Sequence, residues 1–138
     1  NLNYKNVEWN FELGDVTKKF NKWNLNNIDY LFIDSDHSTE FAVNFINNLL
    51  KPLLQNCKLN KKKVFVSVHD VFHGRDSEPI EEGKEVINFL LENNIEYYTV
   101  ARSLIQNYND INNFRNSIGI TELIHPSKTN PSIFFILE

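Results

Sequence analysis

The chain has 138 residues, a formal net charge of −4 and one cysteine, Cys57. This length allows a single domain, a lone cysteine excludes an internal disulfide, and the acidic balance argues against a nucleic-acid partner. No apolar run approaches the ~18 residues that a membrane helix requires, and no signal peptide is visible, so the sequence predicts a cytoplasmic globular protein without a membrane partner.

The first elements predicted along the chain are a strand and a short helix. Val7 to Leu13 alternates apolar and polar residues and stops at Gly14-Asp15, which is typical of a strand followed by a turn. A helix is expected from Val16 to Trp23. Ile28 to Ile33 is predicted as a strand with apolar residues on both faces, which is typical of a buried central strand of a parallel sheet.

A longer helix and a second buried strand follow. Ser38 or Thr39 is suited to cap the helix, and Pro52 is expected to end or kink it. The second strand is predicted from Lys63 to Val68. After it, Phe72 to Pro79 has the composition of a loop and is a candidate lid.

The last part of the chain predicts one more helix and three strands. The helix spans Ile80 to Glu92, and the strands span Ile95 to Val100, Ile118 to Ile124 and Ser132 to Leu137. Gln106 to Asn116 is interpreted as an excursion between strands. The expected buried stripe of the helix consists of Val86, Ile87, Leu90 and Leu91. The elements together predict an α/β fold, with a Rossmann-like, mostly parallel sheet flanked by helices.

Acids and histidines follow the two buried strands at the points where these strands end. They are Asp34, Asp36 and His37 after the first strand, and His69 and Asp70 after the second. A strand, helix and strand in this order form a parallel crossover, so both sets of side chains are expected at one edge of the sheet. Open α/β sheets bind their ligands at that carboxyl edge.

These strings resemble the C-terminal half of class I S-adenosylmethionine-dependent methyltransferases. The matching residues are Ile28 to Glu40, which contains Ile-Asp-Ser-Asp-His-Ser, then Leu50-Lys51-Pro52, Val66 to Val71 with its His-Asp-Val, and Gly83 to Val86. The similarity covers about Val7 to Val100. It implies an O-methyltransferase that uses S-adenosylmethionine, with or without Mg²⁺ or another divalent metal, on a hydroxyl of a small molecule or sugar.

The resemblance also implies roles for individual residues. By position, Asp34 and Asp70 become metal ligands, with His69 beside them, and His37 becomes the general base that takes the hydroxyl proton. Asp15 matches the acid near the adenine of the cofactor, and Asp34 also lies at the cofactor site.

Two departures from the family pattern shape these expectations. None of the four glycines forms the glycine-rich loop that holds the cofactor, so we expect residues 1–138 to be a single partial domain that lacks its N-terminal strands. His69 stands where many metal-binding members have an acid, which favours a softer ion than Mg²⁺ or no ion.

Two other functions remain open from the sequence. A methyltransferase-like domain without catalytic activity would serve as an interaction module, and the missing glycine loop favours this reading. A metal-dependent glycosyltransferase would use the acids of Asp34-Ser35-Asp36 to hold a metal and a diphosphate. A homo-oligomer is compatible with the sequence but is not indicated by it.

Overall fold

The structure is a computed structural model that describes residues 8, 10–71, 79, 81–99, 105–121 and 132–138. The candidate lid, Phe72 to Pro79, lies outside these residues apart from Pro79. Among the helices of the described part, none has both the length and the apolar character needed to cross a membrane.

Four strands form one mixed sheet in the order β1-β2-β4-β3. They are β1 (Tyr30–Ile33), β2 (Val64–Val68), β3 (Tyr97–Thr99) and β4 (Ile133–Leu137). β1 pairs with β2 in parallel, while β4 runs antiparallel to both β2 and β3. Three of these strands therefore point in one direction. The predicted α/β fold with a Rossmann-like sheet is confirmed, although β1 and β2 are the one parallel pair of neighbours among the described strands.

The helices cover both faces of the sheet. They are α1 (Thr39–Phe45), a π-helical segment (Ile46–Leu50), α2 (Lys51–Asn60), α3 (Glu82–Glu92) and α4 (Ile105–Ser117). On one face, Val64, Val66 and Val68 are completely buried in a cluster that includes apolar residues of α1, α2 and α3. On the other, Phe114 of α4 packs against Phe65 with ring centroids 5.3 Å apart.

The first buried strand differs from its prediction. Tyr30 is 50% exposed and Phe32 is 56% exposed, whereas Ile33 is buried. The expectation of burial on both faces is wrong, because β1 has β2 as its sole partner among the described strands and its outward-facing rings have little cover there. The Tyr30 hydroxyl lies 2.7 Å from Ser67 Oγ, which links this face to β2.

Pro52 does not end the helix that follows β1. α1 continues through the π-helical segment into α2, and Pro52 occupies the first turn of α2. Proline lacks an N–H group and its ring would clash with the carbonyl four residues earlier in a regular helix. The wider π turn directly before Pro52 relieves this conflict, so the chain remains helical to Asn60.

The N-terminal predictions are only partly met. Residues 10–13 form no regular secondary structure, and Phe11 and Leu13 are 89% and 85% exposed, so no strand exists over the described part of Val7 to Leu13. Alternation alone does not make a strand, because the segment also needs a sheet edge to pair with. The predicted helix from Val16 to Trp23 is instead two short 3₁₀ turns, in which Phe20 is buried.

The C-terminal predictions contain three errors. Gln106 to Asn116 is not an excursion but most of α4, and residues 118–121, predicted to begin a strand, form a turn and an irregular segment. In α3, Leu91 is 64% exposed while Phe89 is buried, because the stripe that faces the core passes through Val86, Phe89 and Leu90. The strands predicted near Lys63 to Val68 and Ser132 to Leu137 are confirmed.

Candidate active site

The carboxyl ends of β1 and β2 lie side by side, as the sequence predicts. Ile33 is aligned with Val68, and the His69 N–H group donates a hydrogen bond of 2.8 Å to the Ile33 carbonyl. This bond extends the parallel ladder by one step. Asp34 and the His69-Asp70 pair therefore leave the sheet at the same edge.

Asp34, His69 and Asp70 form a group that is able to hold a metal ion. One ligand atom from each residue lies within 4.8 Å of the other two. His69 Nδ1 is 3.6 Å from Asp34 Oδ1 and 3.1 Å from Asp70 Oδ1. Ligands at right angles around an ion with bonds of about 2.1 Å are roughly 3 Å apart, so this spacing suits a shared ion.

The Nδ1 atom of His69 is a buried nitrogen that is available to bind a metal ion. It is buried from solvent, and no residue in the described part of the chain forms a hydrogen bond of acceptable geometry with it. A buried polar atom normally has a partner, since leaving it without one costs about 1–3 kcal/mol. A metal ion between His69 and the two carboxylates would satisfy this atom, so the residues present fit such an ion.

Asp70 adopts an unusual backbone conformation. Its φ angle is +57°, in the left-handed region that non-glycine residues seldom occupy. Aspartate tolerates this region better than most residues, and such conformations concentrate at functional sites. This turn lets Asp70 face both His69 and His37 directly after β2 ends.

His37 lies between two carboxylates that come from different elements. Its Nδ1 is hydrogen-bonded to Glu82 Oε2 at the start of α3, at a distance of 2.8 Å, and its Nε2 is 3.6 Å from Asp70 Oδ2. The neighbouring Ser38 caps α1, since its Oγ accepts a hydrogen bond from the Phe41 N–H group. The cap fixes the chain where it passes His37, so the predicted base lies beside the predicted metal ligands.

Glu82 is the site residue that the sequence analysis missed. Its side chain is 2% exposed, and its contact with His37 spans 45 positions of sequence. A signal was nevertheless present, because Glu82 precedes Val86 and Leu90 at intervals of four residues. An acid on the buried stripe of an amphipathic helix needs a polar partner inside the fold.

The surroundings of His37 favour its protonated form. The hydrogen bond to Glu82 raises the pKa of His37 above its ordinary value of 6.5, and the charges of Glu82, Asp70 and Asp34 act in the same direction. Partial burial opposes this effect but is outweighed. A base with a raised pKa accepts a proton more readily, provided that it is neutral at the working pH.

The raised pKa of His37 predicts a pH-dependent contribution to folding stability. Because the folded state binds the proton more tightly than the unfolded state, this contribution is complete below pH 6.5 and is lost as the pH rises through the folded-state pKa. Urea unfolding at about pH 5.5 and about pH 8.5 should therefore show a larger stability difference between the parent and His37→Asn at the acidic pH. An equal difference at both pH values would contradict the ion-pairing of His37.

Two other predicted residues occupy simpler environments. Asp36 is exposed and accepts a hydrogen bond of 2.9 Å from the Ser38 hydroxyl, outside the metal-holding group. Asp15 accepts hydrogen bonds from the backbone and hydroxyl of Thr17, and these bonds lower its pKa. Its assignment to the adenine of a cofactor stays a prediction.

An apolar cavity with a volume of about 180 Å³ lies next to Asp34. Asp34 and Ser35 are the polar residues that line it. The apolar lining includes Phe20, Trp23, Leu31, Phe41 and Phe45. Val16, the residue after Asp15, also lines the cavity. The site thus combines an apolar space suited to a flat ring with an acidic and imidazole-bearing edge.

No protein-family model matches the chain, and neither a curated protein nor a solved structure is significantly similar to it.

Proposed function

We propose that this chain provides the acceptor and metal half of an S-adenosylmethionine-dependent methyltransferase site, which methylates a hydroxyl of a small molecule or sugar. The observation that supports this most is the convergence of His37 with Asp34, His69 and Asp70 at one sheet edge. His37 is suited to remove a proton from the acceptor hydroxyl. The other three residues are suited to bind a cation that holds the hydroxyl oxygen.

His37 acts as the general base in this proposal. Its Nδ1 is occupied by Glu82, so Nε2 is the atom that receives the hydroxyl proton. Asp34, His69 and Asp70 would hold the metal, which when bound lowers the pKa of a coordinated hydroxyl and fixes its oxygen. These residues would also orient the acceptor, because displacement at a methyl group requires the attacking oxygen to lie in line with the methyl carbon and the leaving sulfur of the methyl donor.

The apolar cavity beside Asp34 is the proposed location of the adenine ring of the methyl donor. Its aromatic walls, including Phe20 and Phe41, offer stacking and edge contacts to a flat ring. Asp34 is an acid that lines this cavity and would lie between donor and acceptor. This position supports the role that the family resemblance implies for Asp34, at both the cofactor and the metal.

The ligand set favours Mn²⁺ or another transition metal over Mg²⁺. Mg²⁺ prefers oxygen ligands, whereas the imidazole of His69 suits the softer divalent ions. Two carboxylates and one imidazole still leave coordination positions for the acceptor oxygen and for water. We propose Mn²⁺ as the probe ion for experiments, because it is a transition metal that the two carboxylates suit and electron paramagnetic resonance detects it.

An inactive methyltransferase-like module is the second candidate. The observation in its favour is that the described glycines serve other purposes, with Gly14 and Gly119 at positive φ in turns and Gly83 in α3. The glycosyltransferase alternative has less support, because Asp36 bonds to Ser38 and lies outside the metal-holding group. Neither alternative predicts metal-dependent transfer of a methyl group.

The metal site predicts a specific loss of Mn²⁺ binding in Asp34→Asn. Electron paramagnetic resonance of the full-length protein should detect one bound Mn²⁺ per chain, and loss of this carboxylate should weaken binding by more than ~100-fold, because even outer partners of metal ligands contribute 10–100-fold. Asp36→Asn is the matched control and should bind Mn²⁺ like the parent. Equal Mn²⁺ affinity of Asp34→Asn and the parent would contradict the site.

The same protein allows a test of the reaction. Transfer of a radiolabelled methyl group from S-adenosylmethionine to a panel of sugars and polyols should stop when the metal is chelated and resume when Mn²⁺ is restored. Transfer that is indifferent to chelation would remove the metal from the proposal. No transfer to any acceptor, despite bound S-adenosylmethionine and metal, would favour the inactive module.

A further inference from the structure

Glu82 contacts both the backbone and the side chain of His37. Its N–H group donates a hydrogen bond of 3.3 Å to the His37 carbonyl, and its Oε2 is hydrogen-bonded to His37 Nδ1 at a distance of 2.8 Å. Two contacts from one residue fix the main chain and the ring together. The imidazole is thereby held at one edge by α3 and faces Asp70 with the other edge.

The buried carboxylate of Glu82 has a desolvation cost that an interaction inside the fold must compensate. The residue is 1% exposed, whereas the His37 side chain that it binds is 33% exposed. A buried carboxylate has a large desolvation cost, and hydrogen bonding to an imidazole compensates for part of it. An apolar residue at position 82 would continue the stripe of α3 without this cost, so packing alone does not account for an acid here.

We propose that Glu82 is a positioning residue that holds the neutral His37 ring in the Nδ1–H tautomer and directs its basic Nε2 toward the edge formed by Asp34, His69 and Asp70. A carboxylate that accepts the Nδ1 proton determines which ring nitrogen keeps its lone pair. The same carboxylate stabilises the imidazolium after the second nitrogen has taken a proton. The catalytic role of Glu82 rests on the proposed function. The tautomer of the His37 ring does not depend on it.

Nitrogen-15 NMR of the histidine rings measures the tautomer directly. In the full-length protein, at a pH where the ring is neutral, His37 should show a protonated Nδ1 and an unprotonated Nε2, and the absence of these signals in His37→Asn assigns them. Glu82→Gln should shift the ring toward the Nε2–H tautomer, because its side-chain amide is able to donate a hydrogen bond to Nδ1. Glu85→Gln, one turn along the same helix, is the matched control and should leave the His37 signals unchanged.

Each outcome separates the positioning role from the proposed reaction. A predominant Nε2–H tautomer in the parent would overturn the inference without any variant, and so would a tautomer that is insensitive to Glu82→Gln in a folded protein. If the protein methylates, Glu82→Gln should lower kcat about 10-fold or more with little change in KM. If the tautomer responds as expected but no methyl transfer is found, the proposed function fails and the positioning of His37 stands.

Discussion

Replacing His37 with alanine should reduce methyl transfer by about 10²–10⁴-fold, the range that a general base contributes. The loss should appear in kcat, since His37 would act on the proton and not on binding of the acceptor. Ser38 caps α1 independently of the imidazole, and His37 is one-third exposed, so the fold should survive the change, with a lower free energy of unfolding because the buried Glu82 loses its hydrogen bond to the imidazole. Initial rates with radiolabelled S-adenosylmethionine provide the measurement.

Asp36→Asn is the matched control for the His37 experiment. Its side chain is exposed and bonds only locally to Ser38, so methyl transfer should proceed at the parent rate. If the protein were a glycosyltransferase that used Asp34 and Asp36 together, the same change would instead lower the rate of sugar transfer. A His37→Ala protein that methylates as fast as the parent would disprove the assignment of the base while leaving the fold intact.

Gly83→Ala should destabilise the protein by roughly 1–3 kcal/mol, the typical cost of overpacking. A Cβ atom at position 83 would lie 2.1 Å from the Val71 carbonyl oxygen, which belongs to the backbone and has no alternative rotamer. The start of α3 would have to move away from the end of β2. Such a shift would also draw Glu82 away from His37, so the variant should lose activity as well as stability.

The direction of this effect makes the Gly83 experiment informative. Alanine is the better helix former by about 0.5–1 kcal/mol, so without close packing the substitution would stabilise α3. Lys84→Ala, at the next position and exposed, is the control and should unfold near the parent's urea midpoint. A Gly83→Ala protein at least as stable as the parent would show that α3 does not approach β2 as closely as described.

The sequence was most informative where chemistry and strand pattern coincide. The runs that end at Ile33 and Val68 are strongly apolar and are followed at once by acids and histidines, so the meeting of Asp34 with Asp70 could be anticipated from parallel pairing alone. The Ser38 cap was similarly predictable from local hydrogen-bonding chemistry. These features depend on few residues that are close in sequence.

Features that depend on distant contacts were not predictable. Glu82 reaches His37 across 45 positions, so its spacing with Val86 and Leu90 indicates that the acid is buried but does not indicate that His37 is its partner. The exposed ring of Phe32 reflects which strands lie beside β1, and α4 forms from a polar, asparagine-rich segment whose Phe114 packs on the sheet. Tertiary packing, and not local propensity, determines each of these outcomes.

Calorimetric titration of the full-length protein with S-adenosylmethionine tests the central claim most directly. The proposed methyltransferase site predicts binding of one S-adenosylmethionine per chain, with the adenine in the apolar cavity lined by Phe20 and Phe41. Binding should persist in His37→Ala, because this residue serves the acceptor. Absence of binding by a folded full-length protein would contradict the methyltransferase assignment.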